Sequence, residues 1–346
     1  MKKSWLFGFS LCLIVGLSSC RKEDPDDQDQ EEFDRGAMLV NYADNVIMPA
    51  YQDMAQSSDT LVTLVEDFNT NPNTTTLNAL RTGWKSTLVR WQYAAPFEFG
   101  PASTVLFIDN TNLYPVDTNV IENNISSGSW NLGSIANLDA KGLQALDYLL
   151  NKPATVVIDS FITGTNAASR KQYLLDVATD IQTLSNSIYA DWQGSYRSTF
   201  VNATGTDIGG STSLLSNALN KFYEKYVRTG KVAIPSGALG FTQTPYPEAV
   251  EAYYYNTFSL ELVDHGMQSV YNIYTGSGAA ENGSGFDDYC DFVGANGTNG
   301  TLTSNIIDQI GVIRTNASQL SSPLSETVVN QQQDVLDLFS DMQVLV

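Results

Sequence analysis

The sequence predicts an all-α chain built as two helical bundles in tandem, on three observations. Apolar residues recur at three- and four-residue spacing through nearly all of the chain beyond residue 35, which is the rhythm of buried helix faces and not of alternating strands. The periodic segments are separated by stretches rich in Gly, Asn, Ser and Thr at 69–76, 100–137, 202–213, 230–246 and 275–301, the composition of loops. The break at 202–213 leaves helical segments on both sides, giving an N-terminal bundle over 36–205 and a C-terminal bundle over 206–346. A single larger helical domain is the alternative, because length is a soft guide to domain count.

Residues 1–19 read as a bacterial lipoprotein signal: Lys2 and Lys3 precede an apolar run from Trp5 to Leu17, closed by Leu17-Ser18-Ser19-Cys20. The mature chain is therefore expected to begin at a lipidated Cys20, with the membrane as its first partner. The apolar run is too short to span a bilayer, which takes about 20 residues. Residues 20–35 open with Arg21-Lys22-Glu23-Asp24-Pro25-Asp26-Asp27 and are too charged to pack, so they read as an acidic tether. A cell-envelope location follows, as an outer-membrane lipoprotein facing the periplasm or the exterior.

The first helix begins near Gly36 and carries Met38, Leu39, Tyr42 and Val46 on one face. Pro49 in its interior predicts a kink, since proline lacks a backbone donor. Leu77, Leu80, Trp84, Leu88 and Trp91 define the buried face of a second helix, and Leu174, Val177, Ile181, Leu184, Ile188 and Trp192 that of a third. Leu214–Val227 reads as another. A long helix is expected from Pro247 to Tyr274, with proline just inside its start and Gly276 just past its end. Leu302–Leu320 and Ser325–Leu345 complete the set, with Pro323 between them. The loop at 100–137 is longer than a bundle connector needs, so it is expected to carry a binding site or to hold short helices.

Composition excludes several functions. The net charge is −20, and removal of residues 1–19, which hold two lysines and no acid, takes it to −22. With no cluster of Lys and Arg, the chain is not a nucleic-acid binder. Cys12 leaves with the signal and Cys20 carries lipid, so Cys290 stands alone and stability must come from a hydrophobic core. No base adjoins Cys290, which reads as an idle thiol. The single histidine, His265, excludes multi-His zinc sites and an HExxH helix; without a GxSxG elbow it reads as a surface or helix-packing residue.

Three segments combine polar residues with a buried-helix context. In Trp84-Lys85-Ser86-Thr87-Leu88-Val89-Arg90-Trp91, followed by Phe97-Glu98-Phe99-Gly100-Pro101, Arg90 falls at the edge of the buried face, suited to an interhelical ion pair or to a ligand. In Gly142-Leu143-Gln144-Ala145-Leu146-Asp147-Tyr148-Leu149-Leu150, Gln144 and Asp147 share one face, as two ligands to a common ion must. The third is Glu251-Ala252-Tyr253-Tyr254-Tyr255-Asn256-Thr257.

Taken in this order, and with Asn272-Ile273-Tyr274 leading to Gly276, these segments resemble the imelysin family of cell-envelope proteins. The resemblance implies an all-helical fold of two bundle-like domains with a site between them. Activities among relatives include insulin cleavage, iron uptake and polysaccharide binding. The family's G-x-H-x-x-E motif, read as a metal or catalytic site, is altered here: Gln144 replaces His and Asp147 replaces Glu. Ala95 stands where the family often has an acid. A Gln carbonyl is a hard oxygen ligand suited to Ca²⁺ or Mg²⁺, unlike an imidazole.

The expectation is therefore a lipid-anchored binding protein with no catalytic residue, holding its ligand in a cleft between the bundles. The candidate ligand-binding residues are Arg90, Glu98, Asn112, Asp117, Gln144, Asp147, Glu251 and Asn256, with Gly142, Pro115 and Thr257 shaping the scaffold. Asn112, Pro115 and Asp117 read equally as turn formers. The ligand is left open among a small nutrient, a metal ion such as iron, and a glycan stacking on tyrosine and tryptophan faces. No cofactor is assigned, a divalent metal being the one candidate. The alternative is a metallopeptidase using Asp147 and Glu251 as ligands or general base.

Overall fold

The structure, a computed structural model, describes residues 32–278 and 283–346; the signal segment, Cys20 and most of the tether lie outside the described residues. Residues Asp34–Val346 form one compact unit that is helical almost throughout. Among the described residues the only strands are the two-residue pair Asn296–Gly297 and Gly300–Thr301. None of the described helices is long and apolar enough to cross a membrane.

The chain begins with α1 (Arg35–Asn41), whose first turn is capped by the Asp34 carboxylate accepting from the Ala37 N–H. A π-helical turn, Tyr42–Ile47, leads into α2 (Met48–Thr70). The expected interruption at Pro49 takes the form of this wider turn, which leaves the proline in the first turn of α2, where no donor is required. Asn73 opens α3 (Thr74–Ala94) with a capping box, accepting from the N–H groups of Thr75 and Thr76 while the Thr76 hydroxyl accepts from Asn73 N–H. Leu77, Leu80, Trp84, Leu88 and Trp91 are all buried, as the spacing predicts.

The long loop at 100–137 holds α4 (Pro101–Thr104), α5 (Phe107–Thr111) and α6 (Thr118–Ser127), followed by a 3-10 segment, Ile135–Ala140. Helices of one to three turns are too short to show a periodic face. Next come α7 (Gly142–Leu150), α8 (Ala154–Ile162) and α9 (Ala167–Asp191). Helix α9 packs against α2 and α7, while α2 also packs on α3. A second π-helical turn, Trp192–Tyr196, precedes α10 (Arg197–Asn202).

Beyond the 203–210 loop, α11 (Ser211–Lys221) continues as a 12-residue π-helical segment, Phe222–Ala233, and ends in α12 (Ile234–Ser236). Residues 230–236, expected in a loop, are therefore helical, and Gly237, at φ +76°, ends the run. The helix expected from Pro247 also differs. Only Pro247–Ala249 forms a 3-10 turn, and α13 (Ser259–Tyr274) starts later. The cause is local: side chains of α7 capture the N–H groups of Ala252, Tyr254 and Tyr255, and Ala252 and Asn256 adopt φ of +58° and +55°. The chain closes with α14 (Phe286–Phe292), α15 (Leu302–Gln319), α16 (Leu324–Asn330) and α17 (Gln332–Gln343). The π-helical segment, α13, α15 and α17 pack together, and α13 also meets α3.

Three anchors fix α7. Trp84 Nε1–H donates to Leu143 O at 2.8 Å, and the Arg81 guanidinium holds Leu150 O and Lys152 O at the helix C-terminus, at 2.7 and 2.6 Å. Gly142 starts the helix at φ +76°, and a Cβ there would lie 2.5 Å from Thr111 O. Gly142→Ala should therefore cost about 1–3 kcal/mol from backbone conformation alone, with the clash in addition. A lowered urea midpoint at unchanged m-value is the expected readout.

Candidate functional site

A buried polar centre lies where α3, the end of α5, α7, the π-helical segment and the 250–256 turn meet. Its hub is Glu251, 2 % exposed. Glu251 Oε1 accepts from Gln92 Nε2 at 3.0 Å and from Asn112 Nδ2 at 2.7 Å; Oε2 is ion-paired with Lys231 Nζ, itself 2 % exposed. Asn112 Oδ1 accepts from Gln144 Nε2 at 2.8 Å, and Gln144 Oε1 accepts from Ala252 N–H at 2.9 Å. Asn112, Gln144 and Glu251, all candidates from sequence, thus form one continuous hydrogen-bonded chain. Lys231 and Gln92, which were not candidates, complete it.

Asp147, one turn on from Gln144, performs a parallel task. Its Oδ2 accepts from Tyr254 N–H at 2.8 Å, and Oδ1 accepts from Tyr255 N–H and Asn151 Nδ2, each at 2.9 Å. Burial pushes its carboxyl up to about 7, against the downward pull of the Tyr254 N–H, the Asn151 amide and the Tyr255 N–H; the Glu251 charge adds to the rise. Burial likewise lowers the Lys231 ammonium, opposed by Glu251.

The Asp147 shift has a testable consequence. Its folded value lies above the unfolded carboxyl value near 3.9, so the folded protein holds this proton more tightly. The stability it contributes is full below about pH 4 and is lost as pH rises to about 7, at roughly 1.4 kcal/mol per pH unit. Asp147→Asn should remove that component, so the difference in unfolding free energy between mildly acidic and neutral pH should shift relative to wild type. An unchanged difference would contradict the assignment.

Beside this centre opens a cavity of about 410 Å³ lined by Tyr114, Asp117, Asp139, Glu248, Tyr253 and Tyr254, with Gln144 and Asp147 at its floor. Asp117 lines it while capping α6, accepting from Asn119 and Val120 N–H at 2.8 and 3.2 Å. Asp139 and Glu248 make no salt bridge to a described residue. The Tyr254 ring makes edge contacts with Tyr148 and Tyr253, each with centroids 5.1 Å apart. Burial pushes the Tyr254 hydroxyl up to about 12, aided by the Asp147 charge.

The remaining candidates lie elsewhere. Arg90 pairs with Asp53 of α2 at 2.9 Å, both about half exposed, and lines a separate cavity of about 220 Å³ with Tyr93 and Asn272. Glu98 accepts from Ile108 N–H at 3.1 Å and pairs with Lys221 at 2.7 Å, bracing the start of α5. Asn256 is exposed and forms the left-handed corner of the 250–256 turn. His265 packs α13 on α3, its Nδ1 2.8 Å from the Tyr93 hydroxyl. Cys290 is a half-buried free thiol.

The altered motif does not offer a ready divalent-cation site. Both Asp147 oxygens serve backbone donors, both ends of the Gln144 amide are engaged, and an ammonium already faces Glu251. No group of three His, Cys, Asp or Glu side chains suited to a metal occurs among the described residues.

The class defined by this fold and centre is an all-helical protein whose N-terminal and C-terminal helices close on a shared polar core beside an open cavity. The chain belongs to the imelysin family, whose model matches residues 47–338. A proposed iron-regulated protein A precursor from Parabacteroides distasonis shares the fold, with a TM-score of 0.72 at 17 % identity over 93 % of this chain and 94 % of that one. So does an imelysin-like protein from Psychrobacter arcticum, with a TM-score of 0.65 at 15 % identity over 90 % and 91 %. Among curated proteins, Iron-regulated protein A of Synechococcus elongatus is 24 % identical over 174 residues, 49 % of this chain and 45 % of that one. The chain thus matches less than half the length of that relative.

Sequence reasoning missed Lys231 because it falls in a stretch rich in loop-forming residues, and Gln92 because it follows Trp91 off the apolar stripe. The cavity acids Asp139 and Glu248 lie in turns without periodicity.

Proposed function

We propose that this chain is a lipid-anchored binding protein of the bacterial cell envelope that holds a small polar ligand in the 410 Å³ cavity. The observation that carries this reading is a contrast within one site. The floor residues Gln144 and Asp147 are saturated by internal hydrogen bonds, whereas Asp139 and Glu248 at the walls have no ion-pair partner among the described residues and tyrosine faces stand beside them. The walls come from both sides of the predicted boundary near residue 205, which supports a cleft between two bundles. Saturation of Asp147 and Glu251 favours binding over catalysis, since neither carboxylate is left free as a general base. Kinship with proteins named as iron-regulated supports a role in nutrient acquisition, with iron complexes as the first ligands to test. Tyr246, Tyr253 and Tyr254 favour glycans as the second class.

The test is calorimetric titration of the soluble chain with ferric citrate and with neutral oligosaccharides, compared with Asp139→Asn/Glu248→Gln. Saturable binding that the double variant loses at unchanged Tm is expected. Equal affinity in the variant would remove this cavity as the site. Anchoring is tested separately: Cys20→Ala should release the protein from the membrane fraction, and retention would contradict lipidation there.

A further inference from the structure

We propose that the cavity of about 220 Å³ where α2, α3 and α13 meet is a second ligand site, separate from the polar centre, and that it takes a small zwitterion, a free α-amino acid with an aliphatic side chain. The inference does not rest on the ligand assigned to the larger cavity.

Three observations converge. First, the cavity carries its charge as a matched pair. Asp53 of α2 and Arg90 of α3 are the charged residues among the described residues of its lining. They meet through one contact, Arg90 Nη1 to Asp53 Oδ2 at 2.9 Å, with both side chains about half exposed. A guanidinium has five N–H donors and a carboxylate two acceptor oxygens, so most of what either group offers a ligand is uncommitted.

Second, polar groups at the wall lack partners. Ser269 of α13 is 2 % exposed and lines the cavity, yet its hydroxyl makes no hydrogen bond to a described residue. Ser185 of α9, equally buried, donates to the Ile181 carbonyl four residues back, the ordinary solution for a helical serine. Asn45 Nδ2 donates to Asn41 Oδ1, and Asn272 Oδ1 accepts from Gln268 Nε2. The other end of each amide, Asn45 Oδ1 and Asn272 Nδ2, has no partner among the described residues. Buried polar groups in folded proteins are hydrogen-bonded, and at a cavity wall the occupant supplies the bond.

Third, the rest of the wall is apolar, from Val46, Pro49, Phe97 and Ile273. The volume lies below the roughly 300–1,000 Å³ of sites for drug-sized ligands, so the occupant is small and has an apolar part.

The charge pair selects the class. Because Asp53 and Arg90 cancel, a ligand with one charge would be attracted by one of them and repelled by the other. A zwitterion closes a ring of alternating sign, its carboxylate on the free N–H groups of Arg90 and its ammonium on Asp53 Oδ1, so that each charge lies between two of opposite sign. Ser269 and Asn272 add donors, Asn45 adds an acceptor, and the aliphatic side chain is left to the apolar wall.

The experiment is calorimetric titration of the purified protein with L-leucine, 4-methylpentanoate and 3-methylbutylamine, the two analogues each lacking one charged group of leucine. Leucine should bind saturably at one site, and each analogue at least about tenfold more weakly, a difference of about 1.4 kcal/mol. Arg90→Gln and Asp53→Asn should each lower leucine affinity at least about tenfold at unchanged helical circular dichroism, and Ser269→Ala should lower it as well. Asp139→Asn/Glu248→Gln, in the larger cavity, should leave leucine binding unchanged; its loss there would move the ligand to that cavity and overturn the proposal. So would the absence of saturable leucine binding, equal affinity for either analogue, or leucine affinity unchanged by Arg90→Gln and Asp53→Asn. The analogue comparison uses wild type alone and stands even if a variant unfolds.

Discussion

Glu251→Ala should lower stability by about 3–5 kcal/mol, the cost of leaving one member of a buried ion pair without its partner. Lys231 would keep its ammonium at 2 % exposure with nothing to oppose it, and the amides of Gln92 and Asn112 would lose their shared acceptor. The loss reaches beyond the pair, since Asn112 orients Gln144, and Gln144 holds the Ala252 N–H. Glu251→Gln should cost less, because it keeps the shape and an acceptor while Lys231, already lowered by burial, releases its proton. Equilibrium urea unfolding measures both. A loss below about 1 kcal/mol for Glu251→Ala would place the pair with weak surface bridges and remove Glu251 as the hub.

Asp147→Ala should be comparably severe by a different route. The variant leaves the part-buried N–H groups of Tyr254 and Tyr255 and the Asn151 amide without acceptors, at a cost for each below the about 1–3 kcal/mol of a fully buried donor left unsatisfied. The 250–256 turn holds two non-glycine residues at positive φ, and its second half, beyond the Ala252 N–H held by Gln144, depends most on Asp147. The expected result is a large fall in urea midpoint together with new proteolytic cleavage between residues 250 and 258. Ligand binding should fall too, because Tyr253 and Tyr254 wall the cavity. Resistance to cleavage equal to wild type would show that the turn is fixed by other contacts.

These two carboxylates show what the sequence could and could not convey. The helical class was legible because burial imposes a period on long helices: the α3 stripe from Leu77 to Trp91 is buried throughout. The shared face of Gln144 and Asp147 was legible for the same reason, and the order of motifs brought Asn112 and Glu251 into consideration with them. What failed was local structure set by distant side chains. The 250–258 stretch has a proline start and a helical rhythm, yet α7 takes its N–H groups for side-chain oxygens, so the helix begins only at Ser259. Arg90 and Glu98 illustrate the opposite case, where a polar residue beside a buried stripe braces neighbouring helices by an ion pair and does not face the centre. Lys231 lay out of reach, since it sits in a stretch of loop-forming composition that the structure makes helical.

The most direct measurement is amide hydrogen exchange at Ala252, Tyr254 and Tyr255 in the folded protein, resolved by residue. If the altered motif is a structural lock that shapes the cavity, these three amides, though they lie in a turn, should exchange as slowly as the core amides of α3 and α9, through global unfolding alone. Exchange at the rate of the 203–210 loop would mean that Gln144 and Asp147 do not hold the turn, and would contradict the central claim.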